Sequence, residues 1–254
     1  MPNQLNPAIS NADAQIVALF SKFIGVIFLL IFSNQVIKDH LLSENDSYNL
    51  YKLLHKVVKI LEKNNIPYWA SGGTFLGAIR CKGIIKWDDD LDLCVLLKDR
   101  DRLKKVIDQE NDIYLDLKNN VVNKIKYKTR SYPFVDIFFM VPEMENGEKV
   151  YKCALKRARK KWKNEVYLEK ELVPLKKTQF GSMKISIPNE YERYFLSSFG
   201  KYWNKEGVIS GNHRKFIIIY PTIQWNLRAS DYEPATPFYI EESFDSSINR
   251  WWQF

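Results

Sequence analysis

Residues 87–97 read WDDDLDLCVLL and join an acidic run directly to an apolar one. The apolar half has the length and composition of a buried strand. Side chains alternate between the two faces of a strand, so Asp88, Asp90 and Asp92 are predicted to point to the same side. Like charges this close repel unless a cation neutralises them, and hard carboxylate oxygens select Mg²⁺ or Mn²⁺. The stretch therefore predicts a metal site at the start of a core strand, and a solvated acidic turn is the plain alternative.

A further aspartate lies inside a second apolar run. Residues 133–140 read PFVDIFFM, a composition typical of a central strand in which Asp136 is the charged residue. A buried carboxylate needs a partner. If the two strands are neighbours, Asp136 joins Asp90 and Asp92 in a site for one or two metal ions, which can activate an attacking oxygen and stabilise a leaving phosphate. The alternative is a structural aspartate held in an ion pair.

A glycine turn precedes the acidic strand. Residues 66–70 predict a short strand, residues 71–74 read SGGT, and residues 74–80 predict a short helix. Glycines let backbone N–H groups approach an anion at a helix N-terminus, so Gly72, Gly73 and Thr74 are candidates for binding a donor phosphate. Cations that follow the turn are further candidates for phosphate contacts, although each alone is more often a surface residue: Arg80, Lys82 and Lys86.

The flanking pattern predicts a mixed sheet domain. Apolar residues recur at helical spacing over residues 43–65, and strands are predicted at residues 113–117, 121–127 and 134–141. Residues 43–142 therefore predict an α/β or α+β core. Residues 151–171 are very basic and predict a helix, and Pro188 and Gly200 bracket another. Residues 143–254 are thus expected to be a basic, mostly helical part that completes the domain.

Residues 16–32 are almost wholly apolar, interrupted by Ser21 and Lys22. This pattern predicts that residues 1–42 form a signal anchor, because Lys22 can reach the membrane surface and the flanks add length to a short apolar core. The protein is then expected to be a single-pass, membrane-associated protein of the secretory pathway (Golgi or endoplasmic reticulum). A helix packed on the domain, and a cytoplasmic protein, are the alternatives.

The net charge limits the class of binding partner, and the spacing of cysteines and histidines limits the kind of site. The net charge of +8 and the pI near 9.2 favour anionic partners, but no basic module interleaved with aromatic residues is evident, so nucleic acid is not the expected one. The basic run at residues 156–163 is either a solvated helix face or a contact for an anionic substrate or lipid. The three cysteines and three histidines are widely spaced, which indicates neither a zinc site nor a disulfide framework. No chemistry is assigned to the histidines.

These motifs together resemble the LicD/fukutin family. The similarity runs from SGGTFLGAIR at residues 71–80 through GII at residues 83–85 to WDDDLDL at residues 87–93, and includes the Val-Asp-Ile-Phe context of Asp136. Weaker similarity continues to FGKYW at residues 199–203, so the resemblance covers roughly residues 50–205. Cys81 and Lys86 depart from the pattern, which often has His and usually has Pro at these positions. Neither departure removes a carboxylate.

The resemblance implies a fold and an activity. Members of this family belong to the nucleotidyltransferase superfamily, which implies an α+β fold with a mixed sheet and flanking helices. They transfer a phospho-alcohol, such as phosphocholine or ribitol phosphate, from a CDP-linked donor to a glycan acceptor. By resemblance, Asp90 and Asp92 are metal ligands, Asp88 lies close to them, and Asp136 is the later carboxylate. Two other interpretations stay open: a glycosyltransferase that holds a sugar nucleotide through an Asp-x-Asp motif, and a non-catalytic membrane-bound partner that retains the fold.

Overall fold

The computed structural model describes residues 11–118, 121–214 and 217–240. The ends of the predicted N-terminal segment and C-terminal part, residues 1–10 and 241–254, lie outside the described residues. The chain divides into two units, Met1–Leu41 and Leu42–Phe254.

The first unit contains one long helix, α1 (Asn11–His40). The prediction that it is a membrane-spanning signal anchor is wrong, because none of the helices among the described residues is long and apolar enough to cross a membrane. Its uninterrupted apolar run, residues 23–32, is short against the roughly 20 residues that a spanning helix needs. Lys22 precedes this run and Ser33, Asn34 and Gln35 follow it. The expectation of a single-pass protein of the secretory pathway fails with the anchor.

The second unit begins with the amphipathic helix α2 (Glu44–Lys63). Ser43 and Asp46 form a capping box at its start: the Ser43 hydroxyl accepts from the Asp46 N–H at 3.1 Å, and the Asp46 carboxylate accepts from the Ser43 N–H at 3.4 Å. The apolar face of α2 is fully buried, including Leu50, Leu54 and Leu61. The helix therefore forms one layer of the core.

A seven-stranded mixed sheet forms the next layer. Its strands are β1 (Tyr68–Ala70), β2 (Asp92–Leu96), β3 (Ile113–Asp116), β4 (Asn123–Tyr127), β5 (Phe134–Glu145), β6 (Glu148–Cys153) and β7 (Val166–Leu168). The order is β1-β2-β5-β4-β3, with β6 beside the second half of β5 and β7 beside β6. Strands β2 and β5 run parallel and the other pairs are antiparallel. The amino-terminal ends of β2 and β5 therefore meet at one edge of the sheet.

Helices and two hairpins surround this sheet. They are α3 (Gly72–Arg80), a 3-10 turn (Leu97–Asp99), α4 (Arg100–Asp108), α5 (Lys156–Lys161), α6 (Glu169–Leu172), α7 (Glu192–Phe199), the hairpin β8 (Lys176–Phe180) with β9 (Met183–Ile187), the hairpin β10 (Glu206–Asn212) with β11 (Ile217–Asn226), and a 3-10 turn (Ala229–Tyr232). Phe75 of α3 packs on Phe195 of α7 with ring centroids 4.7 Å apart. The predicted α+β fold with a mixed sheet and flanking helices is confirmed.

The prediction that the C-terminal part is mostly helical is wrong. Residues 151–171, predicted as one basic helix, contain the end of β6, the short helix α5, strand β7 and the start of α6. Strands β6 and β7 pair with each other, with Tyr151 opposite Tyr167. Such cross-strand pairs stabilise a sheet through contacts between residues distant in sequence. The local basic pattern carries no sign of them.

Candidate active site

The parallel pairing of β2 with β5 brings the predicted carboxylates together. Asp92 lies opposite Asp136 in the register, and the Asp136 N–H donates to the Leu91 carbonyl at 2.6 Å. Asp90 lies two residues before the first residue of β2. Asp90, Asp92 and Asp136 each offer one carboxylate oxygen, and these oxygens all lie within 4.8 Å of one another. We name these three residues, with the adjacent Asp88, the carboxylate cluster.

The glycine turn packs directly against the carboxylate cluster. A Cβ on Gly72, whose φ is +49°, would lie 2.4 Å from an Asp92 oxygen, and a Cβ on Gly73 would lie 2.1 Å from an Asp88 oxygen. Only glycine gives this close approach at a positive φ without strain. The N–H of Gly72 already donates to the Tyr194 hydroxyl at 3.0 Å. In the structure, the two glycines make room for the carboxylates of Asp92 and Asp88. Phosphate binding by Gly72, Gly73 and Thr74 stays a prediction.

Two residues of the turn hold Asp92 in place. The buried Thr74 hydroxyl accepts from the Asp92 N–H at 2.8 Å, and the Ser71 N–H donates to the Asp92 carbonyl at 3.1 Å. Both contacts fix the backbone where β2 begins. The position of the Asp92 carboxylate is therefore set from both strand and helix.

Two of the cations predicted to bind phosphate, Arg80 and Lys86, contact other parts of the protein in the structure. The Arg80 guanidinium donates to the carbonyls of Trp203 and Glu206 at 3.0 and 3.3 Å, and joins α3 to the chain before β10. Lys82 is exposed beyond the end of α3. Lys86 pairs with Glu233 at 3.1 Å. A role for Arg80 and Lys82 in binding the donor stays a prediction.

A buried hydrogen-bond network, which no local sequence pattern indicates, lies behind the glycine turn. The Glu165 carboxylate accepts from Tyr194 at 2.5 Å, from Ser71 at 2.8 Å and from Tyr167 at 3.2 Å. Burial raises the pKa of Glu165, which these three donors oppose. Because Tyr194 also accepts from the Gly72 N–H, the network connects α7 to the turn. Its members are too far apart in sequence for a local motif to show them.

His213 also lies at the site, although no chemistry was assigned to it from the sequence. The backbone N–H groups of His213 and Arg214 donate to one Asp89 oxygen at 2.8 and 3.0 Å. The His213 ring nitrogen Nδ1 is 2.8 Å from the other Asp89 oxygen and 3.6 Å from Asp90. The hydrogen bond to Asp89 raises the pKa of His213 to about 9. Asp89, Asp90 and His213 form a second group whose ligand atoms lie within 4.8 Å of one another.

Electrostatics favour a cation at the carboxylate cluster. Burial, together with the neighbouring aspartates, raises the pKa of Asp88 and Asp92 well above the usual range. Burial raises the pKa of Asp136 to about 6 even though the Lys124 ammonium lies 2.5 Å from its carboxylate and opposes the shift. A divalent cation relieves this repulsion, and three carboxylate oxygens are donors that suit Mg²⁺ or Mn²⁺. The side chains present therefore fit the predicted metal.

Comparisons with known proteins agree with this architecture. Residues 65–190, which include the carboxylate cluster and Glu165, match the family model described as LicD/FKTN/FKRP, nucleotidyltransferase domain. An uncharacterized protein of Rickettsia typhi is 28% identical over 210 residues, which are 81% of this chain and 64% of that protein. Ribitol 5-phosphate transferase FKRP of Mus musculus is 28% identical over 152 residues, 57% of this chain and 30% of FKRP. Lipopolysaccharide cholinephosphotransferase LicD of Haemophilus influenzae is 43% identical over 49 residues, 19% of this chain and 17% of LicD.

The mixed-sheet fold and the domain matched at residues 65–190 together define the class of the protein, which is that of proteins with a nucleotidyltransferase domain. The chain belongs to the LicD/fukutin family, as the sequence motifs implied. It spans 64% of the length of the Rickettsia typhi relative and 30% of the length of FKRP.

Proposed function

We propose that this protein transfers a phospho-alcohol, of the ribitol phosphate or phosphocholine type, from a CDP-linked donor to a glycan or glycoconjugate acceptor. The carboxylate cluster is the observation that carries the proposal, because it collects anionic oxygen ligands beside a glycine turn at one sheet edge. The relatives FKRP and LicD, named as a ribitol 5-phosphate transferase and a cholinephosphotransferase, support the substrate class.

The reaction requires a phosphoryl group to be held while the acceptor hydroxyl attacks it. The P–O bond to CMP breaks, CMP leaves, a new P–O bond to the acceptor oxygen forms, and the hydroxyl proton passes to solvent. Asp90, Asp92 and Asp136 would hold Mg²⁺, which when bound neutralises the phosphoryl oxygens and orients the reacting groups. Thr74 and Ser71 hold the Asp92 backbone in place. Most of the catalysis in phosphoryl transfer comes from such positioning and charge stabilisation.

One assay tests the donor and the metal together. Purified protein is incubated with CDP-ribitol, CDP-choline, UDP-sugars or nucleoside triphosphates, with Mg²⁺ or with EDTA, and release of CMP, UDP or pyrophosphate is measured. We expect CMP release with Mg²⁺ only, and more of it when a glycan acceptor is present. The variant Asp92→Asn should be inactive, and Asp101→Asn, at an exposed position of α4, should match wild type. UDP release would instead favour a glycosyltransferase, and no release from any donor would favour a non-catalytic partner.

A further inference from the structure

A small basic cleft lies beside the carboxylate cluster, and its lysines are not among the residues that hold the metal or the glycine turn in the proposed reaction. The cleft has a volume of about 170 Å³ and is lined by Lys161, Trp162, Lys163, Asn164, Glu165 and Ser198. Pockets for drug-sized ligands run from about 300 to 1,000 Å³. This cleft therefore suits one small group of a larger substrate and not a whole nucleotide.

The sheet places the cleft next to the carboxylates. Asp136 and Phe138 lie on the same face of β5, one pleat repeat or about 7 Å apart. Trp162 contacts Phe138 edge-on, with ring centroids 5.4 Å apart. Glu165, which also lines the cleft, accepts hydrogen bonds from Ser71 and Tyr194, and these two residues contact the glycine turn. The cleft thus lies along the same face of the sheet as Asp136 and is bounded by the residues that hold the turn.

The charges in the cleft favour an anion. Lys161 and Lys163 are exposed, and neither has an ion pair within the part of the chain that the structure describes. Arg159 of α5, by contrast, pairs with Glu143 at 2.6 Å. The one carboxylate in the lining, Glu165, has both oxygens engaged by hydroxyl groups.

The cleft walls are held in position before any ligand arrives. The Asn164 side chain donates to the Ser197 carbonyl, and the Ser198 hydroxyl donates to the Asn164 carbonyl at 3.4 Å. Both contacts connect the segment after α5 to the end of α7. A preformed wall carrying two lysines lowers the entropic cost of ordering the site when it binds an anion.

We propose that Lys161 and Lys163 bind a phosphate group of the substrate in this cleft while the carboxylate cluster engages the reacting phosphoryl group. The proposal rests on the proposed function and adds a second anion-binding position to it. The phosphate could belong to the nucleotide-linked donor or to a phosphorylated acceptor, and the two sources are separable by measurement.

The test compares two double variants of the full chain that lose the same charge. Lys161→Gln with Lys163→Gln empties the cleft of cations. Lys98→Gln with Lys105→Gln removes two exposed lysines beyond the carboxyl end of β2, also without ion pairs among the described residues. Since all four side chains are exposed, both variants should melt close to the wild-type temperature. Any shared effect of net charge cancels in the comparison.

We expect the cleft variant to raise one KM about tenfold or more, because a charge-assisted contact of this kind typically changes affinity by at least that factor. A higher KM for the CDP-linked donor, with weaker CMP binding, assigns the phosphate to the donor. A higher KM for the acceptor alone assigns it to the acceptor. If the cleft and control variants have the same KM values, the cleft is only a solvated surface and the proposal is wrong.

A second measurement does not depend on catalysis. Inorganic pyrophosphate is titrated by calorimetry into wild type and both variants without a divalent ion, so that the carboxylate cluster repels the probe. Binding that is kept in the Lys98 and Lys105 variant and lost in the Lys161 and Lys163 variant supports the cleft, even if no donor is turned over and the proposed function fails. Equal binding by both variants overturns the cleft and leaves the proposed function standing.

Discussion

Two lysines on β4 each pair with an aspartate of a neighbouring strand, yet the pKa values of the two aspartates are shifted in opposite directions. Lys124 contacts Asp136 of β5 at 2.5 Å, and Lys126 contacts Asp116 of β3 at 2.8 Å. The hydrogen bond from Lys126 lowers the pKa of Asp116, whereas burial raises the pKa of Asp136 to about 6 in spite of Lys124. The Asp116 side chain is 21% exposed and the Asp136 side chain 7%.

The difference separates a structural ion pair from a site that needs another cation. Asp116 has one lysine and access to water, so its charge is satisfied. Asp136 is buried and faces Asp90 and Asp92, so one lysine cannot offset the desolvation and the repulsion. A carboxylate whose pKa stays raised beside a lysine marks a functional-site candidate. The carboxylate cluster meets this criterion, and the outer pair of Asp116 with Lys126 does not.

The largest expected contrast is in turnover. Asp92→Asn should lower turnover by at least about a hundredfold, because it removes a charge that holds the metal and the phosphoryl group. Asp116→Asn should leave turnover within about twofold of wild type, since Asp116 is not one of the grouped metal-ligand candidates and β4 separates it from Asp136 in the sheet. Steady-state CMP release measures both. A well-folded Asp92→Asn protein with normal turnover would falsify the site.

The next contrast is in the pH dependence of stability without metal. The folded-state pKa of Asp136, about 6, lies above its unfolded value of 3.8, so its contribution is fully present below pH 3.8 and is lost as pH rises through about 6. A shift of this size corresponds to roughly 3 kcal/mol for a buried group. Asp136→Asn should therefore lose less stability between pH 4 and 7 than wild type does, as denaturant unfolding with EDTA measures.

Asp116→Asn should show the reverse pH dependence. The folded-state pKa of Asp116 is lowered, so its stabilising contribution is present above the unfolded value and is lost as pH falls through the folded one. The difference between this variant and wild type should therefore shrink at low pH. If the effects of the two substitutions on stability change with pH in the same direction, the distinction between the cluster and the outer pair fails.

A smaller effect is expected at the network behind the glycine turn. Tyr194→Phe leaves the Gly72 N–H without its acceptor and removes one donor to Glu165. Such a loss costs about 1–3 kcal/mol of stability, and turnover should fall about tenfold because Gly72 packs on Asp92. Tyr202→Phe, at an exposed tyrosine without a side-chain hydrogen bond among the described residues, is the matched control and should change neither property. Thermal melting and CMP release are the measurements, and a turnover equal to that of the control would limit Tyr194 to folding.

The smallest effect is at the outer pair itself. Breaking the contact of Lys126 with Asp116 should lower the free energy of unfolding by no more than about 1 kcal/mol, as is usual for ion pairs near the surface. Added salt should reduce the effect further. Denaturant unfolding of Asp116→Asn at low and high salt checks this value. A loss of several kcal/mol would show that the outer pair is as strongly coupled as the carboxylate cluster.

Local sequence patterns determined the chemistry of the central strands. The alternation through Asp88, Asp90 and Asp92 and the lone Asp136 in an apolar run report directly on side-chain direction and burial. The structure brings these residues together where β2 and β5 begin. The α+β class, the family and the acidic group that can hold a metal were therefore all accessible from the amino-acid sequence.

Only the tertiary structure decided which distant residues serve the site. Lys124, Glu165, Tyr194 and His213 come from β4, from the segment before β7, from α7 and from the connection between β10 and β11. Lys124 and His213 contact the cluster, and Glu165 and Tyr194 contact the glycine turn beside it. All four are brought there by strand pairing or helix packing, which depend on contacts distant in sequence. A periodic pattern reports burial within one element and says nothing about its neighbours. For the same reason, the basic run at residues 156–163 indicated a helix but not that it ends at a cleft beside Asp136.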